Sequence, residues 1–211
     1  MQPEWLRSGL LLEALREARR LGFLGPGPVE DHVRHSVGFL GAAGGEPQLV
    51  VDLGSGGGLP GLILALAWPT SRVVLLDASE RKAVFLRHAA RQLGLIAPRV
   101  EVARERAEDL GRQDRWRGVA DLVVARAFGP PAVVAECAAP LLRMGGRLIV
   151  SEPPEGGHRR WPDAGLVLLG LVAAPCSERH EGGWYRVLTQ QERCPDRFPR
   201  RTGVPAKRPL F

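Results

Sequence analysis

The sequence predicts an α/β fold in which a mostly parallel, seven-stranded sheet has helices on both faces. From residue 47 onward, short continuously apolar runs of strand length alternate with helical segments. Strands read this way when both faces of a parallel sheet are covered. The 211 residues can bury one sizeable core, and 45% hydrophobic with 25% charged residues is the composition of an ordinary soluble globular protein.

Two helices are expected before the sheet. Residues 5–23, WLRSGLLLEALREARRLGF, have a helical apolar pattern with charges inside it. This indicates an amphipathic helix and lacks the unbroken apolar core of a signal peptide. After a Gly/Pro loop, VEDHVRHSVGFL (29–40) predicts a second helix. No apolar run reaches about 18 residues, so we expect no membrane span and a cytoplasmic protein.

The alternating elements then follow in order. QLVVDL (48–53) is an apolar run of strand length, and the helical segment after it stops at Pro69. Ser79 can cap the next helix. Two apolar stretches, 165–174 and 184–191, are separated by a polar turn and predict an antiparallel pair at the sheet edge. The remaining strands are expected at 72–77, 99–105, 118–127 and 145–152, and the helices at 59–68, 79–95 and 131–142.

Three divisions of the chain follow from this order. We expect a helical N-terminal segment over 1–46, the α/β domain over 47–192 and a basic C-terminal tail over 193–211. Cys137, Cys176 and Cys194 lie far apart with no C-x-x-C spacing. That pattern predicts reduced, packed thiols rather than disulfides or a zinc cluster, so no metal is expected.

The net charge of +6 is concentrated near the C-terminus. From Arg193 to Arg208, six residues are basic and only Asp196 is acidic. Such a segment is suited to binding phosphate groups. The alternative is a bias toward arginine, since lysine supplies only two of the 29 basic residues, in which case these side chains fill a solvated face.

The stretch VVDLGSGGGLPG (50–61) joins the first strand to the next helix through five glycines. Glycine permits positive φ and lets a ligand approach the backbone closely. Loops at the carboxyl ends of parallel strands are where such sheets bind ligands. The dinucleotide spacing G-x-G-x-x-G fails from Gly54, and from Gly56 it starts too far beyond the strand. The pattern acid-x-G-x-G-x-G fits in register from Asp52 to Gly58 and resembles the first motif of S-adenosylmethionine-dependent methyltransferases.

Asp77 ends the second strand, 23 residues after Gly54. A carboxylate at this place can accept hydrogen bonds from both hydroxyls of a ribose. It would serve a nicotinamide cofactor and S-adenosylmethionine equally well. The alternative is that Asp77 only caps the following helix.

Longer stretches resemble one bacterial family, ribosomal small-subunit methyltransferase G, also called glucose-inhibited division protein B. DLGSGGGLPG (52–61) looks like its D-x-G-[ST]-G-x-G-[FL]-P-G, whose Leu-Pro-Gly ending is rare among methyltransferases. LLDASERKAVFL is similar to its L-L-D-S-x-x-K-[KR]-x-x-F-L. The other segments that carry the resemblance are EDHVRHS, RERAEDL, ARAF and DRFPRRTGVPAKRPL. Together they cover about residues 30 to 210.

The resemblance implies a Rossmann-like class I S-adenosylmethionine-dependent methyltransferase fold and N7-methylation of one guanine in small-subunit (16S) ribosomal RNA. It implies S-adenosyl-L-methionine as cofactor and ribosomal RNA or the small ribosomal subunit as partner, with no membrane and no metal. The catalytic residue would be Arg126, beside the methionine end and the incoming base. The residues expected at the cofactor are Gly54, Ser55, Gly56, Gly58, Leu59, Asp77, Ala78, Ala107, Glu108 and Arg126, and those expected at RNA are His32, Arg81, Arg200, Arg201 and Lys207.

The residue types suit this chemistry. Guanine N7 has a free lone pair and no proton to lose, so methyl transfer needs no general base. The enzyme must chiefly align the nucleophile, the methyl group and the sulfur. Arg126 can hold a phosphate or the O6 edge of guanine, and its alternative is a salt bridge to a neighbouring acid. His32 matches the family histidine, and its alternative is a packed or solvated side chain.

Three features depart from the family pattern. The polar W-N-x-x-x-N-L-T segment is absent from residues 15–28, Ala125 replaces a serine, and Glu152 stands where lysine is usual. If Glu152 faced RNA, phosphate attraction would be lost there. These departures favour an alternative, a methyltransferase of the same fold acting on another RNA or a small molecule. The intact loop and Asp77 disfavour a non-catalytic binding module, and the loop register disfavours a nicotinamide enzyme.

Overall fold

The computed structural model describes residues 9–153 and 160–211. The strands are β1 (Leu49–Leu53), β2 (Arg72–Leu76), β3 (Val100–Ala103), β4 (Ala120–Ala125), β5 (Leu142–Glu152), β6 (Leu171–Ala173), β7 (Glu178–His180) and β8 (Gly183–Gln190). The helices are α1 (Gly9–Arg20), α2 (Val29–Ala43), α3 (Gly61–Ala67), α4 (Glu80–Gln92), α5 (Ala107–Leu110), α6 (Pro131–Ala138), α7 (Asp163–Val167) and α8 (Val204–Lys207), and a 3-10 turn follows α6 over Ala139–Leu141.

The strands form one mixed sheet in the order β3-β2-β1-β4-β5-β8-β6, and β7 pairs with β8 outside this path. The five strands from β3 to β5 are parallel, whereas β8 runs antiparallel to both β5 and β6. The predicted fold class is therefore confirmed, with one strand more than the expected seven. Strand order reverses between β1 and β4, which is where an open α/β sheet binds ligands.

Helices cover both faces of the sheet because the strand residues alternate. Val50 of β1 lies in a core cluster with α1 to α4, while Val51 and Leu53 lie in a cluster with α5, α6 and α7. Residues from the N-terminal helices therefore share a core with the sheet. In the described ranges, no helix is long and apolar enough to cross a membrane.

Most predicted elements form where they were expected. The Ser79 hydroxyl accepts the Lys82 backbone N–H at 3.5 Å and so caps α4, as the sequence predicts. The expected N-terminal helix is present from Gly9, and its first residues, 5–8, lie outside the described ranges. The antiparallel pair is also present, with Leu171 of β6 opposite Gln190 of β8.

The strand predicted over 165–174 is wrong before Leu171, because residues 165–167 end α7 and residues 168–170 form a turn. Pro162 directly precedes this helix, and Asp163 lies in its first turn, where a negative charge interacts favourably with the helix dipole. Leu166 and Leu169, three residues apart, face the core, and Gly170 then ends the helical stretch with φ 74°. Because a continuously apolar run is compatible with both a helix and a buried strand, its periodicity could not show that the run begins in a helix.

Candidate active site

A cavity of about 330 Å³ opens at the carboxyl ends of β1 to β4, within the size range of small-molecule sites. Five of the residues expected at the cofactor line it: Gly54, Asp77, Ala78, Ala107 and Glu108. The other lining residues were not predicted from the sequence, and they come from β2, α4, α6, the loops after β3 and β4, and the C-terminal segment. These other lining residues are Leu76, Lys82, Glu105, Arg106, Ala127, Phe128, Gly129, Pro130, Val133, Cys137 and Ala206.

The glycine loop reaches the cavity through Gly54. Its φ is 69°, and a Cβ there would lie 2.6 Å from Cδ2 of Phe128, so only glycine fits against this ring. Its neighbours turn inward: the Ser55 N–H donates to the Leu76 carbonyl at 2.9 Å. Ser55, Gly56, Gly58 and Leu59 are buried behind the wall, and their contact with a cofactor stays a prediction.

Asp77 both braces the loop and faces the cavity. Its Oδ2 accepts the Gly56 N–H at 3.0 Å and its Oδ1 accepts the Ser79 N–H at 2.9 Å. The Lys82 Nζ is 3.7 Å from Oδ2. An ionised carboxylate offers about four lone-pair sites, so these bonds leave acceptor capacity toward the cavity. The helix-capping interpretation and the ligand interpretation are thus compatible.

Asp52 lies behind the loop and is fully buried. Its Oδ2 accepts the Gly61 N–H at 3.0 Å, and a Cβ on Gly61 would lie 2.5 Å from that oxygen. The glycine of Leu-Pro-Gly is therefore required by this close approach. The Asp52 Oδ1 has no hydrogen-bond partner in the part of the chain described. Burial raises the pKa of Asp52 to about 7.

Arg126 directly follows β4 and points toward α2. Its Nη2 lies 2.5 Å from Nδ1 of His32, and its Nη1 lies 3.4 Å from the Ser36 hydroxyl. The His32 Nε2 is 3.1 Å from the Gly25 carbonyl. One tautomer satisfies this geometry: Nε2–H donates to Gly25 and Nδ1 accepts from Arg126.

The salt bridge offered as the alternative for Arg126 is not found in the described residues. Its partners are a hydroxyl and an imidazole that accepts from it. Burial lowers the pKa of the Arg126 guanidinium, but arginine remains charged at neutral pH. Among residues 9–153 and 160–211, this cation beside the carboxyl end of β4 therefore has no salt-bridge partner.

The residues expected at RNA lie in different settings. Arg201 and Lys207 are exposed, and so is Arg81, whose guanidinium lies 5.7 Å from the centre of the Phe23 ring. Arg200 instead has an internal partner. Its Nη2 and Nε lie 2.6 and 2.8 Å from the carboxylate of Glu136, a fully buried residue of α6.

Glu152 does not present a negative charge to solvent. The sequence had raised the possibility that Glu152 faces RNA and weakens phosphate attraction there. Glu152 is buried, and its carboxylate accepts from the Arg160 Nη1 at 2.6 Å and from the Trp161 Nε1 at 3.2 Å. Its departure from the family pattern is therefore matched by a cation within the fold. Ala125, the other substituted position, is fully buried at the end of β4.

The three cysteines are free thiols. Cys137 and Cys194 are packed as expected, and burial raises the pKa of Cys194 to about 12, whereas Cys176 is exposed. Among residues 9–153 and 160–211, no group of three or more His, Cys, Asp or Glu side chains could hold a metal ion.

Comparison with known proteins shows which protein family this chain resembles. The family model of rRNA small subunit methyltransferase G matches residues 29–152. The chain is 38% identical to ribosomal RNA small subunit methyltransferase G of Rubrobacter xylanophilus, covering 95% of this chain and 80% of that protein. It is 40% identical to the protein of the same name from Prochlorococcus marinus MIT 9313, covering 78% and 69%.

Solved structures agree on the fold. An O-methyltransferase from Bacillus cereus, in complex with SAH, superposes with a TM-score of 0.61 at 20% identity, covering 86% of this chain and 90% of that one. The branched-chain polyamine synthase of Thermus thermophilus superposes with a TM-score of 0.62 at 18% identity, covering 88% and 64%. Because one scaffold carries different activities, these similarities bear on the fold alone.

Proposed function

The chain belongs to the family of rRNA small subunit methyltransferase G, and on this premise we propose that it methylates N7 of one guanine in small-subunit (16S) ribosomal RNA. It is an S-adenosylmethionine-dependent methyltransferase. The observation that supports the finer proposal is the pairing of two features at one edge of the sheet. One is the cavity walled by Gly54 and Asp77, and the other is the Arg126 cation next to it, which is held by His32 and by no salt bridge in the part of the chain that the structure describes.

The size of the cavity and the residues that line it suit S-adenosylmethionine. When bound, this cofactor supplies a methyl group on an electrophilic sulfonium. Gly54 would leave bare backbone beside the methionine part, and the spare lone pairs of Asp77 would accept the ribose hydroxyls. Val133 and Cys137 of α6, with Ala107, add apolar wall suited to an adenine ring.

The chain's part in the reaction is alignment and charge. Guanine N7 carries a lone pair and no proton, so no side chain has to act as a base. We assign Arg126 to the incoming nucleotide, where its guanidinium can hold a phosphate or the O6 edge of the guanine. His32 and Ser36 hold that guanidinium without neutralising it. Fixing a reactant in this way lowers the entropic part of the barrier.

The RNA would approach over the same edge of the sheet. His32 lies in the first turns of α2 beside Arg126, Arg81 opens α4, and Arg201 and Lys207 extend from the C-terminal segment. Cations spread around a cavity mouth attract a polyanion at long range. A polyanionic substrate should therefore bind with a steep dependence on salt concentration.

The test is transfer of label from radioactive S-adenosylmethionine to small-subunit RNA, naked and assembled, from a strain deleted for this gene. We expect one labelled nucleoside, identified as 7-methylguanosine by chromatography and mass spectrometry. The matched control is the same transcript made with 7-deazaguanosine. It keeps the base-pairing edge but lacks the N7 lone pair, so it should accept no label.

Other outcomes would replace the proposal. Label in a different nucleoside, or in the 7-deaza transcript, would contradict N7 as the acceptor. Cofactor binding without label in either RNA would favour the alternative of another RNA or a small-molecule substrate. Substrate binding that does not weaken with salt would favour the small molecule, because only a polyanion releases many counterions.

A further inference from the structure

The C-terminal segment from Phe198 to Lys207 contributes to the cavity. Ala206 is one of the lining residues, together with Gly54 and Asp77. The Gly203 N–H donates to Oε1 of Glu108 at 2.9 Å. Glu108 is itself part of the cavity wall, so the segment contacts the site both directly and through this carboxylate.

The segment is anchored on α6 by Arg200. Both Nε and the backbone N–H of Arg200 lie 2.8 Å from Oε1 of Glu136, and its Nη2 lies 2.6 Å from Oε2. The Glu136 side chain is 0% exposed and that of Arg200 is 26% exposed. Val133 and Cys137 of the same helix line the cavity. One short helix therefore bears the cavity on one side and the anchor on another.

Further bonds hold the segment along its length. Arg117 donates to the Phe198 carbonyl at 2.7 Å, and Arg112 donates to the Pro199 carbonyl at 2.9 Å. The Thr202 hydroxyl donates to Asp109, the neighbour of Glu108, at 2.6 Å. These contacts satisfy main-chain groups of the segment against the region that follows β3. The residues that read as a basic tail are thus a docked part of the domain.

We propose that residues 198–207 form the outer wall of the S-adenosylmethionine site and that Arg200 is a positioning residue for the cofactor rather than an RNA contact. The proposal rests on the proposed function for the identity of the ligand. Without Arg200, the Glu136 carboxylate would stay buried without a cation, and detachment of the segment from α6 would let water reach it. Ala206 and the Gly203 contact to Glu108 would leave with it.

The experiment measures the dissociation constant of S-adenosylhomocysteine by calorimetry for four proteins. Arg200→Met should weaken binding by about tenfold or more, because the buried carboxylate loses its partner. Arg200→Met combined with Glu136→Gln should return the affinity to within about threefold of wild type. The neutral Gln amide oxygen can still accept the backbone N–H of position 200. Arg208→Met removes an equal charge from an exposed position just beyond the segment and should leave the affinity unchanged.

Trypsin cleavage after Arg201 supplies a second readout. S-adenosylhomocysteine should slow this cleavage in the wild type and the double variant, because both would bind it with the segment docked. The KM for RNA should change less than the KM for S-adenosylmethionine in Arg200→Met. A purely structural role would not divide the two constants in this way.

Equal affinity of wild type and Arg200→Met would overturn the proposal, and so would a double variant no better than the single one. If the Arg200→Met protein does not fold, the double variant supplies the test, because it should fold and bind S-adenosylhomocysteine. A wild type that binds no S-adenosylhomocysteine would instead overturn the cofactor assignment, and the two failures are therefore distinct.

Discussion

The sequence predicts Arg126 as the catalytic residue, beside the cofactor and the incoming base, and Arg200 as an RNA contact, and the fold gives these two arginines opposite partners. Arg200 donates to the buried carboxylate of Glu136, which neutralises it. Arg126 rests on His32 and Ser36, neither of which carries a negative charge in this arrangement. The nearby buried carboxyl of Asp52 bonds to the backbone of Gly61 instead.

The contrast shows what decides whether an arginine is available to a ligand. A buried carboxylate needs either a cation or a proton, because burial without one is costly. Glu136 obtains the cation from Arg200. Asp52 keeps a proton below about pH 7, the value to which burial raises its pKa, and its carboxyl bonds to Gly61 rather than to Arg126. The sequence motif around each arginine contains no information about this division.

The largest effect should come from breaking the Arg200 side of the comparison. Arg200→Met should lower the free energy of unfolding by about 3 kcal/mol, because Glu136 is left buried and unpaired. Glu136→Ala should cost roughly half as much, since the partly exposed Arg200 can be hydrated. Urea denaturation of the two variants measures this asymmetry. Equal losses of stability would contradict the prediction that an unpaired Glu136 costs more than an unpaired Arg200.

Arg126→Ala tests the other side and should act on rate rather than on folding. We expect kcat for methyl transfer to fall about 100-fold, as when a charged donor is removed from a transition state. The affinity for S-adenosylhomocysteine should fall less than tenfold, because Arg126 is outside the cavity wall. Single-turnover kinetics and calorimetry separate the two. If the affinity for S-adenosylhomocysteine fell by the same factor as kcat, the main role of Arg126 would be to bind the cofactor.

Asp52→Asn sharpens the comparison through pH. The native state keeps the Asp52 proton up to about pH 7, whereas the unfolded chain releases it near pH 4. The native state thus binds more protons in this window, and wild-type stability should fall by about 3 kcal/mol as pH rises through it. Asparagine does not titrate but can still accept from Gly61. Urea denaturation at several pH values gives the free energy of unfolding of each protein. If the difference between the two proteins stays constant from pH 4 to 7, Asp52 is not protonated in the native state.

The smallest effect is expected at His32, which holds Arg126 without carrying the reaction. His32→Ala should lower kcat about tenfold by freeing the guanidinium to leave its position. His32→Asn should recover most of this loss, because its Oδ1 can accept at the place of Nδ1. Steady-state kinetics with saturating cofactor measures the recovery. Asparagine no better than alanine would favour a direct contact between His32 and RNA.

Much of the fold could be predicted because its signals are local. Apolar runs mark the strands, Ser79 marks the start of α4, and the glycine spacing places a ligand loop after β1. Five of the expected cofactor residues, including Gly54 and Asp77, line one cavity for the same reason: the ends of adjacent parallel strands meet at one edge.

The rest depends on pairs that are distant in the chain. His32 and Arg126 are 94 residues apart, and Glu136 and Arg200 are 64 apart. Neither pair has a spacing that a sequence pattern could register. The wall residues of α6 and Ala206 were missed because nothing in an apolar helix or a basic tail marks the side that will face a cavity.

The docking of residues 198–207 also orders events during translation. The ribosome makes these residues after every other part of the cavity wall, so a nascent chain can pair its parallel strands before Ala206 exists. The anchoring carboxylate on α6 is likewise made before its arginine. A chain interrupted shortly before Arg200 would therefore carry an unpaired Glu136 carboxylate and lack the part of the cavity wall that Ala206 supplies.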